Sequence, residues 1–235
     1  MTGLPFSGPF SDRLSGPAPV ARPGDNRLGA IVDDLAGKGW SWQPGLLPED
    51  LFRALHADVL AIDAEDDLSP AGIGREEAFQ LDRSIRQTRI AWMDGSTPAQ
   101  AGFLLWAEQL REAINRALMI GLFEFEACFA VYRPGGFYDR HLDSFEGARN
   151  RVVSLVVYLN DGWDAADGGA LVIWPEGAGA EAAPAARLMP ERAGAVFMLS
   201  ETVPHAVEVT HASRFAIAAW WRVNPSIQGQ LDPLA

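Results

Sequence analysis

A mainly β fold with supporting helices follows from three features of this 235-residue chain. From residue 123 onward, short apolar segments alternate with period two, as strands with one buried face do. Glycine, proline and acidic turns separate these segments, and many short strands at such spacing build a sandwich or a barrel. Before residue 123, apolar residues recur every three to four positions, the pattern of amphipathic helices.

The elements follow in order. Residues 1–27 contain five prolines and four glycines and read as a flexible tail. Residues 26–36 predict a helix, with Asp25 as its cap and Gly37 and Gly39 as its stop. WSW at 40–42 is a short strand. Pro48 opens a second helix, with Leu51, Phe52, Leu55, Val59 and Ile62 on one face and His56 off it, on a solvated surface. Residues 64–84 are polar and carry Gly72 and Gly74, a long loop of the kind that serves as a functional lid. IRQTRIAWM at 85–93 reads as a strand. Thr97 and Gln100 form a capping box, and Pro98 begins a third helix with Phe103, Trp106, Leu110, Ile114 and Leu118 on one side. Strands follow at 123–132, 152–159, 170–174, 195–199, 206–210 and 214–223. Residues 28–227 form one domain, with helical support over 28–122 and a β core over 123–223. The helices alone could not bury their apolar stripes. Residues 228–235 are a C-terminal tail.

Composition narrows the function classes. A hydrophobic fraction of 48% suits a folded globular chain. No apolar run approaches a membrane span, and the N-terminus lacks a secretory pattern. The single cysteine, Cys128, excludes an internal disulfide and predicts a cytoplasmic protein with a buried structural thiol. The 19 basic and 31 acidic residues give a formal charge of −12, a poor match to a nucleic-acid backbone.

The chemical signal begins at His141-Leu142-Asp143. Residues i and i+2 of an extended segment point the same way, so an imidazole and a carboxylate there reach one metal ion. Alone the triplet also fits a turn histidine beside a surface acid. A third ligand has two downstream candidates, His205 and His211; Pro204 gives His205 a rigid turn into the next strand. Two histidines and one carboxylate on one face of an octahedron leave three positions open, which suits Fe(II).

Arg214 opens a strand whose face carries Ala216, Ala218 and Trp220. A lone arginine beside small residues suggests a cavity with a cation at its floor, and a guanidinium matches a carboxylate with two hydrogen bonds. Ser154 and Tyr158 share one face of another strand, which reads either as a pocket lining or as a solvated sheet face.

The order Tyr132, Gly135, Tyr138, His141-x-Asp143 and then His205-x8-Arg214 resembles the Fe(II)- and 2-oxoglutarate-dependent oxygenases of the prolyl 4-hydroxylase type. VVYLNDGWDAADGGALVIWPEG, PHAVEV, SRFAIAAWW and SIRQTRIAWMDG are similar to segments of the hypoxia-inducible-factor prolyl hydroxylases and their bacterial relatives. The likeness runs over about residues 28 to 223. It implies a double-stranded β-helix (jelly roll) core with N-terminal α-helices packed on it. It implies that His141, Asp143 and His205 bind Fe(II), that Arg214 and Tyr158 hold the distal carboxylate of 2-oxoglutarate, and that Tyr132 lies near that cosubstrate. The loop from Tyr132 to His141 is one residue shorter than in the animal enzymes. Arg151 and Trp220 match residues at the substrate mouth, whose plain readings are a solvated arginine and a core tryptophan. O2 is the second cosubstrate and ascorbate a reductant.

The resemblance implies hydroxylation of a prolyl residue in a protein or peptide with an exposed proline, giving succinate and CO2, with no nucleic acid and no membrane as partner. The alternatives are a hydroxylase of a free amino acid or other small molecule, and a non-catalytic, cupin-like metal-binding module. The last has no need of the Arg214 strand. Nucleic-acid dealkylation is opposed by the charge. Substrate identity and oligomeric state are not legible.

Overall fold

The computed structural model describes residues 24–71, 84–144 and 151–223, with the backbone of 226–227 and 230–231. Its helices are α1 (Asp25–Lys38), α2 (Glu49–Ala64) and α3 (Pro98–Leu118). The strands preceding the main β run are β1 (Trp40–Gln43), β2 (Ser69–Pro70) and β3 (Arg89–Trp92). The run itself comprises β4 (Glu124–Tyr132), β5 (Tyr138–His141), β6 (Arg151–Tyr158), β7 (Leu171–Ile173), β8 (Ala186–Leu188), β9 (Ala195–Leu199), β10 (His205–Val207) and β11 (Arg214–Arg222). β12 (Ser226–Ile227) and β13 (Gln230–Leu231) pair as a separate ribbon.

The major sheet has the order β1-β9-β6-β11-β4-β3-β2, and the minor sheet β5-β10-β7-β8. All the pairings are antiparallel, and the two sheets form the jelly roll. Alternate residues of each major-sheet strand go to opposite sides. Phe129 and Val131 of β4, Val153, Leu155 and Val157 of β6, and Ile217 and Trp221 of β11 join the apolar stripes of all three helices in one core. Ala130, Tyr132, Tyr158, Val196, Met198 and Ala216 face the minor sheet in a second, smaller core with Leu171, Ile173 and Val207. A strand buried on both sides reads as nearly continuous hydrophobicity, as VVSLVVYL does. No helix among the described residues is long and apolar enough to cross a membrane.

Several local expectations change. Asp25 is the first helical residue, and Gly24 takes the cap position with no side-chain hydrogen bond. Gly39 ends α1 in the left-handed region, φ 80°, returning its N–H to Leu35 O at 3.2 Å. The box at α3 is half made. Thr97 Oγ1 accepts from Gln100 N at 3.1 Å, but Gln100 Oε1 accepts from Asp94 N and Gly95 N, the nearer donors of the entry turn. His56 is half-buried rather than solvated: its ring stacks 5.7 Å from Phe52 and its Nδ1 donates to Leu159 O at 2.6 Å, tying α2 to the end of β6. The strand expected over 85–93 serves two sheets. Gln87 N and Asp139 N exchange hydrogen bonds with Phe137 O and Ile85 O beside β5, and only from Arg89 does the chain join β4. The strand expected over 206–210 ends at Val207. Of the expected 64–84 loop, 72–83 lie outside the described residues, as do 1–23 of the N-terminal tail and 232–235 at the C-terminus.

Candidate active site

The cleft between the sheets collects all eight residues that the sequence singles out: Tyr132, His141, Asp143, Arg151, Ser154's neighbour across the sheet Trp220, His205 and Arg214 line or border it, with Tyr158 packed behind Arg214. Register explains the convergence. β5 and β10 are adjacent and antiparallel, and His141 lies directly opposite His205. The chain leaves β5 at His141, so Asp143 follows two residues later at the same end. His211 stands past the end of β10, exposed, against the turn at Gly168. Among the described residues His141, Asp143 and His205 form a metal-compatible group, their donor atoms within 4.8 Å of one another.

Each ring is oriented by the main chain. His141 Nδ1 donates to Asp139 O at 2.7 Å and His205 Nδ1 to Val203 O at 3.1 Å, the same i−2 contact in both. A carbonyl only accepts, so Nδ1 carries a proton in each ring and Nε2 is the atom left for a metal. Both Nε2 atoms lie 3.5 Å from the Asp143 carboxylate, and the ring centroids are 4.3 Å apart. Burial, then the neighbouring His141, push His205 down to about 4, so its imidazole is neutral at pH 7. Burial alone would raise Asp143, but His205 and His141 outweigh it and hold the carboxyl well below its usual range. A neutral imidazole and an ionised carboxylate are the protonation states a metal ligand requires.

The opposite part of the cleft is a cationic floor. Arg214 is 1% exposed and lies opposite Tyr132 in the β4–β11 register. Its Nε donates to Gly169 O at 2.9 Å, and its guanidinium sits 5.0 Å from the Tyr132 ring and 5.1 Å from the Tyr158 ring. Arg214 Nη2 and the Tyr158 hydroxyl are buried without a hydrogen-bond partner among the described residues. Burial lifts the Tyr158 hydroxyl to about 12 despite the nearby Arg214, so it remains a donor. Two buried donors without acceptors are costly in isolation and match a carboxylate. Ala130, Ala216 and Ala218 leave room above them. The residues therefore fit both a divalent metal and a carboxylate-bearing cosubstrate that reaches it.

At the mouth, the Arg151 guanidinium stacks 3.7 Å from the Trp220 ring, and its Nε donates to Glu126 Oε1 at 2.7 Å. The plain reading of a solvated arginine does not hold, since Arg151 is stacked and ion-paired; Trp220 is buried, at 7% exposure, and also borders the cleft. Ser154 is 1% exposed and shares a hydrogen bond with Ser200 at 2.8 Å, so its strand face lines the pocket rather than meeting solvent. Cys128 is fully buried on β4 between Trp92 and Ala218, and burial lifts its thiol to about 12, leaving it inert.

Sequence reasoning missed five contributors. Tyr138 stacks on His141 at 3.6 Å, and Arg86 lies over the other part of that aromatic wall, 4.5 Å from the Tyr138 ring. Asn160 anchors the start of β11, donating to Ser213 O and accepting from Phe215 N, and so fixes the backbone on both sides of Arg214. Gly168 and Gly169, φ 66° and 64°, close the turn under Arg214, and a Cβ on Gly169 would stand 3.1 Å from Arg214 Cδ. The adjacent glycines were the available signal.

Comparison with known proteins gives concordant results. The family model of the 2OG-Fe(II) oxygenase superfamily matches residues 127–222. Human Egl nine homolog 1 is 30% identical over 204 residues, 81% of this chain and 43% of that protein. The chain spans about half the length of the curated relatives it matches. A prolyl-4-hydroxylase of Pseudomonas putida shares 42% identity with a TM-score of 0.74, over 83% of this chain and 98% of that one. A Trichoplax adhaerens prolyl hydroxylase, solved with a hypoxia-inducible-factor oxygen degradation domain peptide fragment, matches in fold at 22% identity, with a TM-score of 0.74 over 84% of this chain and 89% of that one.

Proposed function

The chain belongs to the 2OG-Fe(II) oxygenase superfamily, and from that premise we propose that it is a prolyl hydroxylase acting on a protein or peptide in the cytoplasm. The observation that carries the reading is one cleft holding both a two-histidine, one-carboxylate donor group and a buried guanidinium with an unspent Nη2. A metal store has no use for the guanidinium.

In this reading His141, Asp143 and His205 hold Fe(II), which when bound supplies the redox chemistry that joins O2 to 2-oxoglutarate oxidation. Arg214 and Tyr158 anchor the distal carboxylate, so the 2-oxo acid end points back to the metal ligands. Asp139 O and Val203 O fix the two imidazole tautomers. The alanines give the cosubstrate its width, and Tyr138 walls off His141 from the mouth side. Arg151 and Trp220 receive the substrate, the indole as a flat apolar wall for a pyrrolidine ring. The likeness to the Pseudomonas putida prolyl-4-hydroxylase over nearly that whole chain supports proline as the target.

The test is proteome-wide mass spectrometry of cells with and without the active protein. One oxygen atom gained on a prolyl residue, dependent on His141, Asp143 and His205, is the expected result. Oxidation confined to free metabolites would replace the peptide reading with a small-molecule one.

A further inference from the structure

Three adjacent strands of the major sheet bring the side chains of Glu126, Trp220 and Arg151 together at the mouth. Glu126 of β4 lies opposite Trp220 of β11, and Trp220 lies opposite Ser154 of β6. The Arg151 side chain crosses from β6 over the indole, 3.7 Å from its ring, and reaches Glu126 Oε1 at 2.7 Å. The pair is largely buried, at 18% and 23% side-chain exposure.

We propose that Glu126 aims and neutralises Arg151, so that the mouth accepts a neutral acyl oxygen, the amide carbonyl of a prolyl residue within a chain, in preference to the carboxylate of a free amino acid. The proposal rests on the prolyl hydroxylase reading and names the substrate class of that site.

The chemistry is a matter of which donors and charges remain. A guanidinium has five N–H groups. Nε is spent on Glu126, and both Nη groups stay without a protein partner among the described residues, held in one plane by the stack on Trp220. They are oriented donors for a carbonyl. The positive charge is already matched by Glu126, so an incoming carboxylate finds a nearby like charge as well as a donor, and must give up its own hydration. A neutral amide oxygen meets neither cost. The chain's formal charge of −12 adds to the bias against a free anion. Arg86, on the wall formed with Tyr138, is the other cation bordering the mouth, and its pull on a carboxylate is common to every protein compared below.

The two roles of Glu126 separate by substitution. Glu126→Gln keeps an acceptor for Nε and removes the charge; Glu126→Ala removes both. The full chain, loaded with Mn(II) and 2-oxoglutarate under argon, would be titrated with N-acetyl-L-prolinamide and N-acetyl-L-proline, and paramagnetic broadening of each probe would report its affinity at the metal. The unsubstituted protein should favour the amide. Glu126→Gln should keep the amide and improve the acid, moving the amide-to-acid ratio by about three- to tenfold, the range expected for one partly exposed charge. Glu126→Ala should weaken the amide, with 2-oxoglutarate broadening unchanged, a loss restored in Glu126→Gln. An unsubstituted protein that prefers the acid, a ratio unmoved in Glu126→Gln, or broadening of neither probe would overturn the assignment. In each of those outcomes, intact broadening of 2-oxoglutarate shows that the metal and cosubstrate reading still stands, and its loss shows that the parent reading has failed.

Discussion

The two faces of the major sheet are made of alternate residues of the same strands, yet they obey different rules. On β11 the residues toward the helices are Phe215, Ile217, Ala219 and Trp221; those toward the minor sheet are Arg214, Ala216, Ala218 and Trp220. The helix face is filled. Trp221 is fully buried, 5.0 Å from Phe125 and 6.3 Å from Phe197. The cleft face is deliberately underfilled, with alanines beside a buried cation whose Nη2 lacks an acceptor. One face stabilises the fold, and the other spends part of that stability on holding groups ready to bind. Substitutions on the two faces should therefore fail differently.

The sharpest break lies at the donor group. Asp143→Ala should lower Fe(II) affinity by well over the roughly 10–100-fold that losing an outer-shell partner costs, and abolish turnover. Its unfolding midpoint without metal should barely move, because the carboxylate lies at the cleft edge and not in the helix-side core. Chelator competition and thermal unfolding on one sample check both halves. His205→Ala should behave alike, and retention of full iron affinity there would redirect attention to His211.

Next in size comes the contrast between neighbours on β11. Trp221→Ala should cost about 3–5 kcal/mol of stability through the cavity it leaves. Arg214→Ala should cost little stability or raise it, because it removes a buried charge that lacks a full set of partners, and should weaken 2-oxoglutarate by about 2–5 kcal/mol. Arg214→Lys should recover part of that, since a point charge does not reproduce the planar fork. Denaturant melts and uncoupled succinate formation read the two axes separately. If Arg214→Ala proved the less stable of the two, the division of labour between faces would collapse.

The same contrast explains what was legible in the sequence. Strands buried on both faces, such as 152–159 and 214–223, announce themselves through composition and period. β5 and β8 do not: YDRH is short and polar, ARL is only three residues long, and they exist because β10 and β7 offer them partners. His141-x-Asp143 was visible as a local pattern, whereas the choice between His205 and His211 depends on which residue β10 sets opposite β5. That is a matter of register between segments over sixty positions apart. Arg214 stood out because its alternate neighbours are alanine. Its supports did not, because Asn160 and Gly169 act through backbone atoms, and a backbone contact leaves little mark on side-chain pattern. Glu126 was hidden likewise, as one acid in an alternating strand whose partner arrives from across β11.

The smallest expected effect probes one of those hidden supports. Gly169 combines a left-handed backbone, φ 64°, with a close approach: an added Cβ would stand 3.1 Å from Arg214 Cδ and 3.1 Å from Thr210 Cβ and Oγ1. Gly169→Ala should thus carry two penalties of different kind. The backbone conformation costs about 1–2 kcal/mol in stability for any residue with a Cβ. The steric contact pushes the Arg214 stem aside, and since Gly169 O also receives Arg214 Nε, the guanidinium loses its aim on the distal carboxylate. The Michaelis constant for 2-oxoglutarate should rise by about three- to tenfold, less than for Arg214→Ala because the charge remains. Arg214→Lys, whose straight stem and single terminal charge make no use of the Gly169 carbonyl through Nε, supplies the control. Added to Arg214→Lys, the Gly169→Ala change should repeat its stability cost but not its full effect on the Michaelis constant, giving a coupling of about 0.5–1 kcal/mol in a double-mutant cycle. Full additivity in the Michaelis constant would mean that Gly169 serves only the turn, and that Arg214 is aimed from the strand side by Asn160 alone.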